Sequence, residues 1–250
     1  MNPTPLLSAI IIAKNESERI SSCINNLSWA DEILLIDNGS TDNTALIARH
    51  KKVIVIKEHM HNFARIRNVG ARHASGSWLL YVDADETVTP LLREEILQTI
   101  HNPNALQAYV IPRHNMYLGK IWPYQDGMVR LINKISFVTW EGVLHEHAII
   151  RGKIGRLSES FLHNTHRSLS EMVAKTNEWS TYEAKLRLDA RHSIISWWRI
   201  IRVMGTAFFD SFIRQGGWKA GDIGWIESIY QSFSISITYS KLWEMQNKFV

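Results

Sequence analysis

The sequence predicts an α/β fold: a mostly parallel, Rossmann-like sheet with helices on both faces, followed by a C-terminal helical extension. Three observations predict it. Through the first hundred residues, apolar strand-like runs alternate with segments of helical period, as βα units around a parallel sheet require. Over about 105–165, short strand-like segments are punctuated by Gly and Pro, which predicts an antiparallel extension of that sheet. From Ser168 onward the pattern is helical.

The elements follow in order. "LLSAIIIA" is a continuous apolar run, as a strand buried on both faces demands. "NESERISSCINNL" has helical spacing, with Asn15 as N-cap and Glu18 three residues on. "EILLID" is a second strand, and "STDNTALIARH" a helix capped by Ser40 or Thr41. "VIVIKE" is a third strand, and "FARIRNVGARHAS" a helix stopped by Gly76. "WLLYVDA" is a fourth strand; "TPLLREEILQTI" is a helix with Thr89 as N-cap and Pro90 in its first position. "AYVIPRHNMYLG", "MVRLINK", "FVTWEGVLHEHAII" and "KIGRL" are the strand-like segments of the extension. "SLSE", a capping box of Ser168 and Glu171, opens a long helix to about Arg191. "SIISWWRIIRVMGTAFFDSFIRQ" is a second helix, broken by Gly216-Gly217, and "WIESIYQSFSISITYSKLWEMQ" is the last. Residues 1–167 therefore read as the α/β domain and 168–250 as the helical extension.

With 250 residues, 45% of them hydrophobic and 21% charged, the composition is globular and excludes disordered and fibrous classes. The one cysteine, Cys23, allows no disulfide framework, so a reducing compartment, the cytoplasm, is expected; Cys23 itself reads as a packed small hydrophobe. The net charge of +4 permits anionic partners and selects none. "MNPTPLLSAIIIAKNE" has no basic n-region and reads as a first strand rather than a signal peptide. No uncharged apolar run reaches the roughly 18 residues of a spanning helix, which predicts a soluble or peripheral protein.

In parallel sheets the ligand crevice lies outside the carboxyl ends of the strands. Asp37 and Asp83 both stand where apolar strands end, so both belong to one crevice. In "DADE", Asp83 and Asp85 bracket one small residue. Such a turn suits a hard divalent cation bound together with substrate phosphates, and a solvated acidic turn would carry the same residues. In "DNGSTDNT", helix capping explains Ser40 to Asp42 but leaves Asp37 and Asn38 over. Arg65, Arg67 and Asn68 of "FARIRN" suit a diphosphate clamp or a plain basic helix face. His163 and His166 of "HNTH" have metal-ligand spacing only if helical.

The order and spacing of "AKNESERI", "DNGSTDNT", "FARIRN" and "DADE" resemble family 2 glycosyltransferases of the GT-A fold. "RLINK", "WEGVLHEH" and "GGWKAGDIGW" resemble their lipopolysaccharide core β-glucosyltransferase-like branch. The resemblance implies an inverting transfer of a sugar from a nucleotide-sugar, with a divalent cation (Mg or Mn), onto a hydroxyl of a cell-envelope glycan, lipopolysaccharide core or a lipid-linked saccharide. It implies that Ala13, Asn15 and Glu16 line the nucleotide pocket and that Asp37 and Asn38 hold the base or ribose. Many relatives have a second carboxylate where this chain has Asn38. Arg65 and Asn68 would face the base and phosphates, and Ala84 and Arg130 would complete the nucleotide-sugar site. Asp83 and Asp85 would be the D-x-D, with Asp85 the direct metal ligand, and His147 or His145 would be a further metal ligand or diphosphate contact. An acidic residue would act as base toward the acceptor hydroxyl: Glu146 first, then Glu141, then Asp126.

A nucleotidyltransferase shares the layout, but carries a Gly-rich basic loop after strand one, where this chain has "AKNESE". A non-catalytic glycan- or membrane-binding scaffold of the same descent is the other alternative, and the intact D-x-D speaks against it. In the C-terminal helices, Arg199 and Arg202 lie beside Trp197 and Trp198. Two readings stand there: an interfacial helix touching the inner membrane surface, or a helix packed on the core with its arginines wet. Nucleic acid is not an expected partner, since the basic cluster lacks a reading motif.

Overall fold

The computed structural model describes residues 5–51, 53–59, 62–142, 146–166 and 168–247. They form two compact units: Met1–His114 with Asp126–His163, and Asn115–Gln125 with Asn164–Val250.

The first unit opens with the alternation the sequence predicts: β1 (Leu7–Ala13), α1 (Ile20–Asn26), β2 (Glu32–Asn38), α2 (Thr44–His50), β3 (Ile54–Glu58), α3 (Phe63–His73) and β4 (Trp78–Asp83). β5 (Glu86–Val88), α4 (Pro90–His101), β6 (Ala108–Tyr117), β7 (Lys120–Asn133), β8 (Phe137–Glu141), β9 (His147–Ile150), β10 (Ile154–Arg156) and β11 (Phe161–His166) follow. Among the described residues the main sheet has nine strands in the order β3-β2-β1-β4-β7-β6-β11-β5, with β10 beside β6. β1 pairs in parallel with both β2 and β4, so the chain reverses its direction of strand addition between β1 and β4. β7 then runs antiparallel to β4, as expected of the extension.

Every residue of β1 is buried. Ala9 and Ile11 face one core with Ile20, Cys23 and Ile24 of α1 and Leu92 and Ile96 of α4. Ile10 and Ile12 face the other with Ala64, Ile66 and Val69 of α3. A continuous apolar strand with helices on both sides is the doubly wound α/β layout, and it explains why β1 shows no polar alternation. Burial pushes the Cys23 thiol up to about 12, which leaves it the inert core group the sequence predicts.

Several local expectations change. Asn15 does not cap α1, which starts at Ile20 without a side-chain cap. α2 begins at Thr44, with Asn43 rather than Ser40 or Thr41 at its N-cap position. α3 ends at His73, before Gly76. "FVTWEGVLHEHAII" is not one strand: β8 and β9 form a separate antiparallel ribbon. β10 pairs with β6 in parallel rather than antiparallel. The "HNTH" segment is strand, not helix, which removes the helical spacing on which its metal pairing rested. Thr89 and Ser168 cap their helices as read, accepting bonds from the Leu92 and Glu171 amides.

The second unit holds α5 (Leu169–Asp189), α6 (Trp197–Phe209) and α7 (Asp222–Asn247). Ala184, Ile195, Tyr239 and Leu242 form its core, with Ile200 and Val203 of α6 packed against them. The β6–β7 tip belongs here too: Trp122 is buried and its indole donates to Gln215 at 3.1 Å.

Gly76 lies where the chain enters β4 against β1. A Cβ there would sit 2.6 Å from both the backbone nitrogen and the hydroxyl of Ser8. Gly76→Ala is therefore expected to destabilise the protein by about 1–3 kcal/mol, read as a lower urea midpoint at unchanged slope.

Candidate active site

Register fixes which strand ends meet. Ala13 of β1 lies opposite Asp37 of β2, and Ile12 lies opposite Asp83 of β4. The two aspartates thus stand within one residue of each other at the carboxyl edge of the sheet, at the reversal point between β1 and β4 where such sheets bind ligands.

The loops above this edge are tied to each other. Asn15 adopts a left-handed conformation (φ 58°), which asparagine tolerates better than most residues. Its side chain accepts a bond from the Thr41 amide at 2.8 Å, and its own amide donates to the Ser40 hydroxyl at 2.9 Å. The Glu16 amide donates to Thr44 and the Ser17 amide to Asp42. Burial opposes the charge on Asp42, but hydrogen bonds from Thr44 and Ser17 outweigh it and bring the carboxyl down to about 2. Buried Asp37 accepts from the Ser40 amide, closing the turn in which Gly39 takes a positive φ of 75°. Glu16 is paired with Arg19 at 2.5 Å. Asn38 stands opposite Glu58 in the β2–β3 pairing.

The acidic turn after β4 is held by arginines. Arg130 of β7 is fully buried and donates to Asp83 Oδ2 at 2.5 Å, Asp83 Oδ1 at 3.2 Å and Glu86 Oε1 at 2.9 Å. Arg67 of α3 donates to Asp83 Oδ1 at 3.3 Å and to Glu146 Oε1 at 2.8 Å. Arg113 of β6 grips Asp126 with two bonds, 2.9 and 2.6 Å, and reaches Glu86 at 3.4 Å. Four carboxylates and three guanidiniums thus alternate in one chain: Asp126, Arg113, Glu86, Arg130, Asp83, Arg67, Glu146. Burial pushes the Asp83 carboxyl up, but Arg130 and Arg67 outweigh it and hold it well below the usual range. Glu86 goes the other way. Its complete burial and the Asp83 charge raise it despite Arg130.

This geometry alters several expectations. Both Asp83 oxygens are engaged by guanidiniums. Arg130 is sealed inside and acts on the site through Asp83 rather than by touching a donor. Asn68 brackets the β8 backbone, donating to the Trp140 carbonyl and accepting from the Trp140 amide, both at 2.9 Å; it positions the ribbon rather than facing phosphates. Asp126 is committed to Arg113. Arg65 is exposed on α3, and Ala84 is buried under the turn. Glu141 and His147 face each other across the ribbon, both exposed. His145 lies outside the described residues.

Asp85 is half-buried, and His163 Nε2 stands 3.4 Å from its Oδ1. Among the described residues no three acidic, histidine or cysteine side chains gather into a metal cage, so His147 is not joined to Asp83 and Asp85. One carboxylate beside an imidazole, with the remaining positions left to phosphate oxygens, fits a hard divalent cation.

Arg67, Glu86 and Arg113 carry more of this site than the sequence reading assigned them. A signal existed for Arg67. It falls three residues after Ala64 and three before Gly70, on the buried stripe of α3, whereas Arg65 falls off it. Its guanidinium also lies 5.2 Å from the Trp140 ring centre and 5.7 Å from that of Tyr81. Arg130→Met is expected to cost about 3–5 kcal/mol, because it removes the nearer of the two guanidiniums from both Asp83 and Glu86. Glu86→Gln, which keeps the shape and an oxygen that can accept from Arg130 and Arg113, is expected to cost less. Urea unfolding of the two variants checks both.

The family model described as Glycosyl transferase family 2 matches residues 8–161. An uncharacterized glycosyltransferase of Rickettsia prowazekii (strain Madrid E) is 28% identical over 97% of this chain and 88% of its own length. The lipopolysaccharide core biosynthesis glycosyltransferase LpsC of Rhizobium meliloti (strain 1021) is 24% identical over 98% of this chain and 94% of its own. Among solved structures, glucosyl-3-phosphoglycerate synthase from Mycobacterium tuberculosis, in complex with Mn2+, uridine diphosphate and phosphoglyceric acid, covers 68% of this chain and 74% of its own. It is 16% identical, with a TM-score of 0.46. The family match sets aside the nucleotidyltransferase and scaffold readings. It runs from the second residue of β1 to the first of β11 and takes in the whole alternating chain of acids and arginines, and on that match the chain belongs to glycosyl transferase family 2.

Proposed function

We propose that the protein is an inverting, metal-dependent glycosyltransferase. It would move a hexosyl group from a nucleotide-sugar to a hydroxyl of a cell-envelope glycan, a lipopolysaccharide core or a related lipid-linked saccharide. The observation that carries the mechanism is the Arg67 bridge, which joins Glu146 to Asp83 although they lie far apart in sequence. The name of LpsC supports the acceptor class. Residues 1–167 do the donor binding and catalysis, and 168–250 extend them.

Ala13, Asn15, Glu16, Asp37, Asn38 and Arg65 line the nucleotide at the carboxyl edge of β1 and β2. Asp85, with His163 beside it, holds the divalent cation, Mg or Mn. When bound, that cation offsets the charge of the leaving diphosphate. Glu146 takes the proton of the acceptor hydroxyl while that oxygen bonds to the anomeric carbon. The bond from that carbon to the diphosphate breaks on the opposite side, and its electron pair leaves with the nucleoside diphosphate. Arg67 positions the Glu146 carboxylate and Asp83 for this step.

Glu146→Gln is expected to lower kcat by about 10^2–10^4 while leaving donor binding intact. Full activity in that variant, with loss in Glu141→Gln, would move the base to Glu141. In a thermal-shift panel of UDP-, GDP-, ADP- and dTDP-linked sugars, one nucleotide is expected to raise Tm only with Mn2+, and Asp85→Ala is expected to abolish the rise. A rise that ignores both metal and Asp85 would remove the cation from the mechanism.

A further inference from the structure

α6 is apolar on two sides. Ile200 and Val203 pack into the core of the helical unit, and the Met204 carbonyl accepts from Ser232 of α7. The opposite side follows helical spacing through Trp197, Trp198, Ile201 and Phe209, and no residue of the helix is buried. Trp197 is 79% exposed and Ile201 61%. A Cβ at Gly205, midway along the helix, would meet nothing within 4 Å. Phe208 and Phe212 carry the apolar surface across to Trp225 of α7, at 5.7 and 4.3 Å between ring centres, and Ile229 extends it one turn on. A contiguous exposed apolar patch of this kind marks a docking surface.

The charge around the patch says what docks. Arg199 and Arg202 lie 5.7 and 5.6 Å from the Trp198 ring centre, Arg214 lies 5.9 Å from Phe209, and Lys219 lies 5.3 Å from Trp218. Over residues 193–229 these four cations meet three acids, of which Glu227 is buried and Asp210 is paired with Arg214. A second copy of the same face would set cation against cation, whereas an anionic headgroup layer complements it. Tryptophans with arginines at their edges are the side chains that settle at a bilayer interface. No helix among the described residues is long and apolar enough to cross a membrane, so the contact lies along the surface.

We propose that the outer face of α6, continued by Trp225 and Ile229, docks on an anionic phospholipid surface, with the tryptophans entering the interface and the arginines meeting phosphate. The inference does not depend on the donor chemistry. The test is flotation of the full chain with phosphatidylcholine vesicles, with and without phosphatidylglycerol, at low and high salt. Binding is expected only with phosphatidylglycerol, and weaker at high salt. Arg202→Gln with Arg214→Gln should weaken it about thirty-fold, at roughly five-fold per surface cation. Trp197→Ser with Ile201→Ser should abolish it without moving Tm, since both side chains are exposed. Failure of the parent chain to float with either vesicle would overturn the proposal. Undiminished binding by the Trp197/Ile201 variant would do the same. Self-association by sedimentation that this variant removes, with no vesicle binding, would assign the face to a second copy instead.

Discussion

The buried guanidinium of Arg130 is the constraint around which the first unit is organised. Removing a charged group from water costs several kcal/mol, which close opposite charge and hydrogen bonds offset; at Arg130 the two Nη atoms are bonded and Nε is left without a partner. Here Asp83 and Glu86 supply that charge from the end of β4 and from β5, while Arg130 reaches them from β7. The pair therefore ties the antiparallel part of the sheet to the end of its parallel part. It also explains how three acidic residues can crowd four positions after a buried strand. Asp83 is met by Arg130 and Arg67, Glu86 by Arg130 and Arg113, and Asp85 has a histidine beside it. Guanidiniums thus relieve the repulsion for two of the three acids.

What the sequence could reveal of this divides by distance. The parallel core was legible because burial on both faces leaves a local mark: seven successive buried residues in β1, and helices of 3.6-residue period between the strands. The near-level placement of Asp37 and Asp83 followed from the same logic, because parallel strands end at one edge. The pairings were not legible. Arg67 finds Glu146 79 positions away, and Arg130 finds Asp83 47 positions away. No periodicity encodes such contacts. Asn68 misled for a related reason. A polar residue beside two arginines looks like a ligand contact, yet its two-sided amide is matched to a backbone carbonyl and amide of β8. The break between β8 and β9 was hidden because both flanks are strand-like.

The C-terminal region shows the reverse case. Its composition, five of the ten tryptophans among basic residues, left open whether those aromatics face a core. Helical phase alone could not decide, because α6 carries apolar residues on both sides. Packing decides it: Ile200 and Val203 use one side, and the tryptophan side is left outside.

α3 is the part through which core packing reaches the proposed chemistry. Gly70 lets it lie close to β1, since a Cβ there would come within 2.5 Å of Ile10 Cγ2. From that seat the helix makes two adjacent commitments. Arg67 points to the strand ends and joins Asp83 to Glu146, while Asn68 grips Trp140 and so holds the ribbon that begins again just after Glu146. Tyr81 of β4 locks the same turn by donating to the Arg67 carbonyl at 3.1 Å. The position of Glu146 is thus set by its partner in α3 as much as by its own loop, and both bonds depend on how closely the helix sits on the sheet. A change at Gly70 that lifts α3 would displace Arg67 and Asn68 together. Loss of transfer would then follow from a glycine that touches neither donor nor acceptor.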